Sequence, residues 1–232
     1  MSRLPALNNF EKSELADFEE YVAKSLQRGR DVLAQYPVCL LTPRKTALLT
    51  RLEEAFRKRI CPPHISLLLG GLAEDDYMPP KPLQHINTKD STPRNYWPTI
   101  RPELLRTCED CLSYIEPEAF CYLLPAYLRL TLERPGYLCY DSVFFHLCYE
   151  PCDRSCRLLA PLSSSEKEIV TDILNERRCE QLFNDDFFED KNLLPWEYER
   201  FVAEGQALSP RDFAEKLALE YAERTGFLEN NY

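Results

Sequence analysis

Between residues 96 and 147, apolar side chains recur at the three- and four-residue spacing of buried helix faces. Trp97, Ile100, Leu104, Leu105, Leu112, Ile115, Phe120, Leu123, Leu124, Tyr127, Leu128, Leu132, Val143 and Phe144 follow this spacing, in the most apolar and aromatic stretch of the chain. The rest of the molecule is expected to pack around them. Upstream, Leu15, Phe18, Val22, Leu26 and Leu33 fall on a helical period with Glu and Lys between them, which predicts an amphipathic helix over 11–35. After the short apolar run 38–41, Thr42 can cap a helix whose first residue is Pro43, where a missing N–H costs nothing. Its buried stripe would be Ala47, Leu48, Leu52, Ala55, Phe56 and Ile60, and Cys61, Pro62 and Pro63 end it.

Pro102, Pro117, Pro195 and Pro210 each stand where a first helical turn would begin. Ser209 is a good cap for the last of these, and Glu116 a poor one for the second. Pro125 falls inside the 117–134 pattern and predicts a kink or a break there. Ser163 with Glu166 and Ser165 with Glu168 form two overlapping capping boxes ahead of a stripe of Ile169, Val170, Ile173 and Leu174. Two final helices are predicted over 195–204 and 210–225, with Gly226 as a C-terminal stop. Strand alternation is weak throughout. The predicted class is therefore all-α, mainly helical with at most a minor strand content, in a multi-helix globular bundle with a central helix kinked at Pro125. It is expected as a single domain over 1–232, with its core in 43–183, the N-terminal helix 11–35 and a C-terminal helical extension 193–227. From 78 to 98, proline, threonine, asparagine and charge predict an irregular connection of a length usual for functional or mobile segments.

Composition narrows the function. With 44% hydrophobic and 12% aromatic residues the chain can build a full core, and its formal net charge of −10 disfavours nucleic acid and anionic membranes as partners. A basic partner is favoured instead. The first residues lack the basic and apolar regions of a secretory leader, and no run approaches the roughly 18 apolar residues of a membrane span, which predicts a cytoplasmic location. Ten cysteines there would be reduced thiols, and Cys39, Cys61, Cys121, Cys139 and Cys179, among apolar neighbours, are expected in the core.

Cysteine spacing is the sharpest chemical motif. Cys108 and Cys111 form a CxxC, and Cys148, Cys152 and Cys156 recur every four residues, intervals at which thiolates can ligate zinc. No glycine or tight-turn residues accompany them, so small thiols on adjacent helical turns are the simpler account. His146 follows an apolar run and reads as a hydrogen-bonded core residue, while His64 and His85 lie in proline-rich connections. Asp141, Ser142 and His146 are too close in sequence to form a catalytic triad, and no nucleophile elbow is present. Six glycines, with only Gly70 and Gly71 adjacent, leave neither GxGxxG nor a Walker loop. Carboxylates cluster at Glu74, Asp75 and Asp76 and again at Asp185, Asp186, Glu189 and Asp190, in spacings that match no calcium loop. The second cluster is interleaved with Phe187 and Phe188 and followed by Trp196 and Tyr198, a combination of charge steering and aromatic anchors suited to a basic protein surface.

The ordered set LLTRLEEAF, ISLLLGGLAEDDY, Trp97, LSYIEPEAFCYLLPAYL, DSVFFHL and LSSSEKEIV, over about residues 48–174, resembles an uncharacterised bacterial domain-of-unknown-function family. That resemblance implies a bacterial, cytoplasmic helical domain and carries no reaction with it. Small acidic helical proteins of this type include immunity proteins encoded beside toxin genes. The expectation is a non-enzymatic, cofactor-free module that binds and neutralises a basic toxin domain. The alternative is a small zinc-binding metalloprotein or enzyme built on the cysteine cluster.

Overall fold

The computed structural model describes residues 9–62, 96–108, 112, 115–134, 143, 147–148, 153–183, 193–205 and 208–227. Helix formation follows the local signals closely. Helix α1 (Asn9–Ala34) is the long N-terminal helix, and α2 (Pro43–Phe56) is capped by the Thr42 hydroxyl, which accepts from the Lys45 N–H at 3.2 Å. A 3-10 turn at Trp97–Thr99 leads into α3 (Pro102–Thr107), and α4 (Pro117–Glu133) follows. The remaining helices are α5 (Asp153–Leu159), α6 (Ser164–Phe183), α7 (Pro195–Ala203) and α8 (Pro210–Thr225). No strand occurs among the described residues, so the fold is all-α.

Helix α4 is the hub. Its side chains from Ala119 to Leu128 are all buried, and α2, α3, α5, α6 and the 3-10 turn all pack on it. The expected core residues from Trp97 to Leu132, with Val143, line this centre, Ile115 packing against its edge. Helix α4 runs unbroken through Pro125, which excludes a division into two helices. A proline omits one helical hydrogen bond, and here dense packing on every side holds the turn together. The Tyr127 hydroxyl lies 3.2 Å and 3.1 Å from the carbonyl oxygens of Leu105 and Cys108, supplying a donor where the end of α3 leaves carbonyls without helical partners. Arg134 does the same for α1, donating to the carbonyls of Leu33 and Tyr36, where a cation also meets the negative end of the helix dipole.

Helix α1 lies against α3 at a point where only glycine fits. A Cβ on Gly29 would stand 2.7 Å from the Glu103 carbonyl oxygen and 2.9 Å from the Thr107 hydroxyl. At the other end of the chain, Gly226 adopts φ +62°, and the Phe227 N–H bonds the Ala222 carbonyl at 3.0 Å to close α8. Phe227 is then buried beneath the Arg44 guanidinium, 4.0 Å from its ring centroid.

Three apolar expectations are corrected. Cys39 is exposed: its segment leaves α1 extended and touches α4 through the backbone, the Cys39 N–H donating to the Glu133 carbonyl at 2.9 Å. Ala47 faces outward on α2, and Ile60, beyond the end of that helix, is exposed as well. Of the two capping boxes, Ser163 and Glu166 form one, with the Glu166 carboxylate 2.7 Å from the Ser163 N–H and the Ser163 hydroxyl accepting from the Glu166 N–H at 3.3 Å. Glu168 instead pairs with Arg51. Residues 63–95 and 184–192, with the acidic clusters they carry, lie outside the described residues, as do His64, His85, Asp141, Ser142 and His146.

Candidate functional site: the α6, α7 and α8 cleft

The apolar stripe predicted for α6 is buried as expected, yet the helix also buries much of its charge, with Glu166, Asp172, Glu176, Arg177 and Arg178 all buried beside the neutral amide of Asn175. Buried ions are expensive to desolvate unless closely paired, and α2 supplies the partners. Arg44 meets Glu176 at 2.7 Å, Lys45 meets Glu180 at 2.5 Å, Arg51 meets Asp172 at 2.7 Å, and Arg59 grips Glu166 with contacts of 2.6 and 2.7 Å. Arg44 and Lys45 at the start of α2 pair with Glu176 and Glu180, Arg51 pairs with Asp172, and Arg59, three residues past the end of α2, pairs with Glu166, so the pairs form an antiparallel ladder that fixes the register of the two helices. Burial works against ionisation of Glu166, but the Arg59 guanidinium and the Ser163 hydrogen bonds outweigh it and hold the carboxyl below its ordinary range.

On the far side of α6 the ladder continues into α7 and α8. Arg178, fully buried, makes two contacts with Glu197, of 2.7 and 3.0 Å, and Glu197 also accepts from the Leu194 N–H at 2.9 Å to cap α7. The Tyr221 hydroxyl donates to Glu176 at 3.1 Å, and Arg224 reaches Asp172 at 2.7 Å. Burial, reinforced by the Glu176 charge, raises the Tyr221 hydroxyl well above its usual range, so it remains a donor.

These three helices enclose a cleft of about 450 Å³, a volume typical of small-molecule sites. Trp196 forms one wall, with its indole N–H donating to the Thr171 hydroxyl at 3.0 Å and the Lys167 ammonium 5.4 Å from its ring centroid. Glu168 and Glu220 stand at the exposed rim, and Asp172, Asn175 and Glu197 lie deep. Of the predicted aromatic anchors Phe187, Phe188, Trp196 and Tyr198, the last two are among the described residues, and Trp196 borders the cleft. Tyr198 does not line it: half-buried, it packs beside Phe201 against Leu193, Phe213, Ala214 and Leu217. Asp185, Asp186, Phe187, Phe188, Glu189 and Asp190 lie outside the described residues, as do Glu74, Asp75 and Asp76. The chain from 184 to 192 joins the end of α6 to the buried Leu193 and Leu194 at the start of α7.

The cysteine motif is only partly described. Cys108 and Cys148 are buried and Cys156 is exposed, while Cys111 and Cys152 lie outside the described residues. Among the described residues, no group of three or more His, Cys, Asp or Glu side chains is placed to hold a metal ion. Burial pushes the Cys121 and Cys179 thiols up to about 12 and raises Cys148 further, so these groups are held as thiols. No described helix is long and apolar enough to cross a membrane.

Sequence periodicity could not reveal the cleft, because the side chains that build it are charged. A signal was nonetheless present. The run TDILNERRCEQ is polar on more than one face of its helix, and α2 carries arginines at matching intervals. No curated protein and no solved structure matches the chain. The cleft lies beyond the stretch that does find a match: residues 44–138, which contribute Arg44, Lys45, Arg51 and Arg59 to the ladder, match the model of a family of unknown function, DUF6714.

Proposed function

We propose that the protein is a non-enzymatic binding module for a basic protein surface, and that it acts as a cytoplasmic, bacterial immunity-type protein that neutralises a toxin domain. The observation that carries this reading is the placement of charge. Within the ladder every carboxylate has a guanidinium or ammonium within 4 Å, so the interior contributes no excess negative charge to the formal −10. That excess belongs to the remaining surface and segments. Residues 184–192 concentrate it, with Asp185, Asp186, Glu189 and Asp190 against Lys191 and with Phe187 and Phe188 among them. The segment ends four residues before Trp196 in the sequence, so a partner drawn in by charge meets an aromatic wall close by.

The test is co-expression with the product of the neighbouring gene, together with capture of partners from the source cell. A basic partner held above background and relief of its toxicity support the reading. Absence of both contradicts it. Reversal of Asp185, Asp186, Glu189 and Asp190 to lysine is expected to lower the association rate and flatten its salt dependence, and an unchanged rate would remove these residues from the interface.

A further inference from the structure

We propose that the α6, α7 and α8 cleft is a binding site for a small organic carboxylate, with Lys167 supplying the matching charge and the Asn175 amide a hydrogen-bond donor. Asn175 is 5% exposed and lines the deep part of the cleft. Its Oδ1 accepts from Arg178 Nη1 at 2.6 Å. A guanidinium can only donate, so the orientation of the amide is fixed: the oxygen must face Arg178 and the NH₂ must face away from it. Among the described residues that NH₂ has no partner, and it is open to the cleft that Asn175 lines. An acceptor carried by a ligand would satisfy it.

Charge pairing identifies the kind of acceptor. Asp172 is held by Arg51 and Arg224, Glu197 by Arg178, and Glu168 by Arg51. Glu220 has Arg200 and Lys216 within 3.9 Å, and both of these also face Glu204. The Lys167 ammonium lies over the Trp196 ring, a positive charge at the cleft with no carboxylate partner among the described residues, in a protein of net charge −10. A group that accepts from the amide and balances this ammonium is an anion with oxygen acceptors. The half-buried Trp196 wall and Leu217 suit an attached organic body rather than a bare ion. This site would act independently of the basic partner proposed above, since it recognises the opposite charge.

The experiment follows the Trp196 indole N–H and the Asn175 side-chain amide by NMR in the full chain while benzoate is added, with benzylammonium and benzyl alcohol as matched controls. Saturable shifts of both signals with benzoate, and none with benzylammonium, are expected. Lys167→Gln should weaken benzoate about tenfold or more, the scale of a charge-assisted hydrogen bond. Asn175→Asp keeps an oxygen toward Arg178 but replaces the donor with an acceptor, and should abolish benzoate binding. An unshifted Trp97 indole signal, from the core and away from the cleft, verifies that the free variants fold. No saturable response to benzoate up to tens of millimolar, equal responses to benzylammonium, or an unchanged affinity in a folded Lys167→Gln variant would each overturn the proposal.

Discussion

Truncating Glu197 to alanine would leave a guanidinium sealed inside the protein. Arg178 has a side chain 0% exposed and Glu197 one 6% exposed, and their two contacts of 2.7 and 3.0 Å join α6 to α7. Removing one partner from such a pair typically costs about 3–5 kcal/mol, because the remaining charge keeps its desolvation penalty without compensation. Glu197 also caps the Leu194 N–H, which adds about 1 kcal/mol. For a chain of this size roughly 2–4 °C of melting temperature is lost per kcal/mol, so Glu197→Ala should melt at least about 6 °C below the parent. Arg178→Met should lose a similar amount through the orphaned carboxylate. The double variant Arg178→Met with Glu197→Leu removes both charges and fills their space, and should recover most of the loss apart from the cap. Urea unfolding followed by circular dichroism measures all three. Single variants within about 1 kcal/mol of the parent, or a double variant equal to the sum of the singles, would refute the assignment of this pair as buried and coupled.

Gly29→Ala is expected to destabilise the protein by about 1–3 kcal/mol despite alanine's better helix propensity, because the new Cβ meets the Glu103 backbone oxygen 2.7 Å away and α1 must shift from α3; a raised melting temperature would contradict this. The folded-state pKa of Glu166 lies below its unfolded value, so its contribution is complete above the usual glutamate range, near pH 4.5, and is lost as pH falls through the depressed value. Denaturation curves between pH 7 and pH 3 should therefore show a shallower acid loss for Glu166→Gln than for the parent, and equal slopes would contradict the Arg59 assignment. Iodoacetamide labelling of the native protein read by mass spectrometry should modify exposed Cys39 and Cys156 quickly and leave Cys121 and Cys179, with thiols near 12, unlabelled until unfolding. Early labelling of Cys121 would show that its surroundings open readily.

Local physics made the helix starts legible. Proline at the first turn, Thr42 and Ser209 as caps and Gly226 as a stop act within a few residues, so Pro43, Pro102, Pro117, Pro195 and Pro210 mark helix starts directly. The centre was legible for a different reason: side chains as large as Trp97, Phe120 and Tyr127 at helical spacing have few alternatives to burial. The same rule fails in reverse, since an apolar residue is not obliged to be buried, and Cys39, Ala47 and Ile60 face solvent. The ionic ladder was hidden because the pairs that Arg44, Arg51 and Arg59 make with α6 are more than 100 residues apart in sequence and each member looks like an ordinary surface charge. It also explains why the Ser165 and Glu168 capping box did not form: Arg51, at 3.1 Å, holds that carboxylate. The candidate site was legible only at Trp196, and the buried amide that gives the cleft its chemical preference depends on Arg178 fixing its orientation.

Proposed capture of a basic protein by the outward excess of negative charge is tested by the association rate of the captured partner with the parent and with the Asp185, Asp186, Glu189 and Asp190 lysine variant across a salt series. The expected partner is basic, and its rate falls steeply with salt for the parent and by about tenfold at low salt in the variant. A partner of neutral or acidic charge, or equal rates for both proteins at every salt concentration, would contradict it.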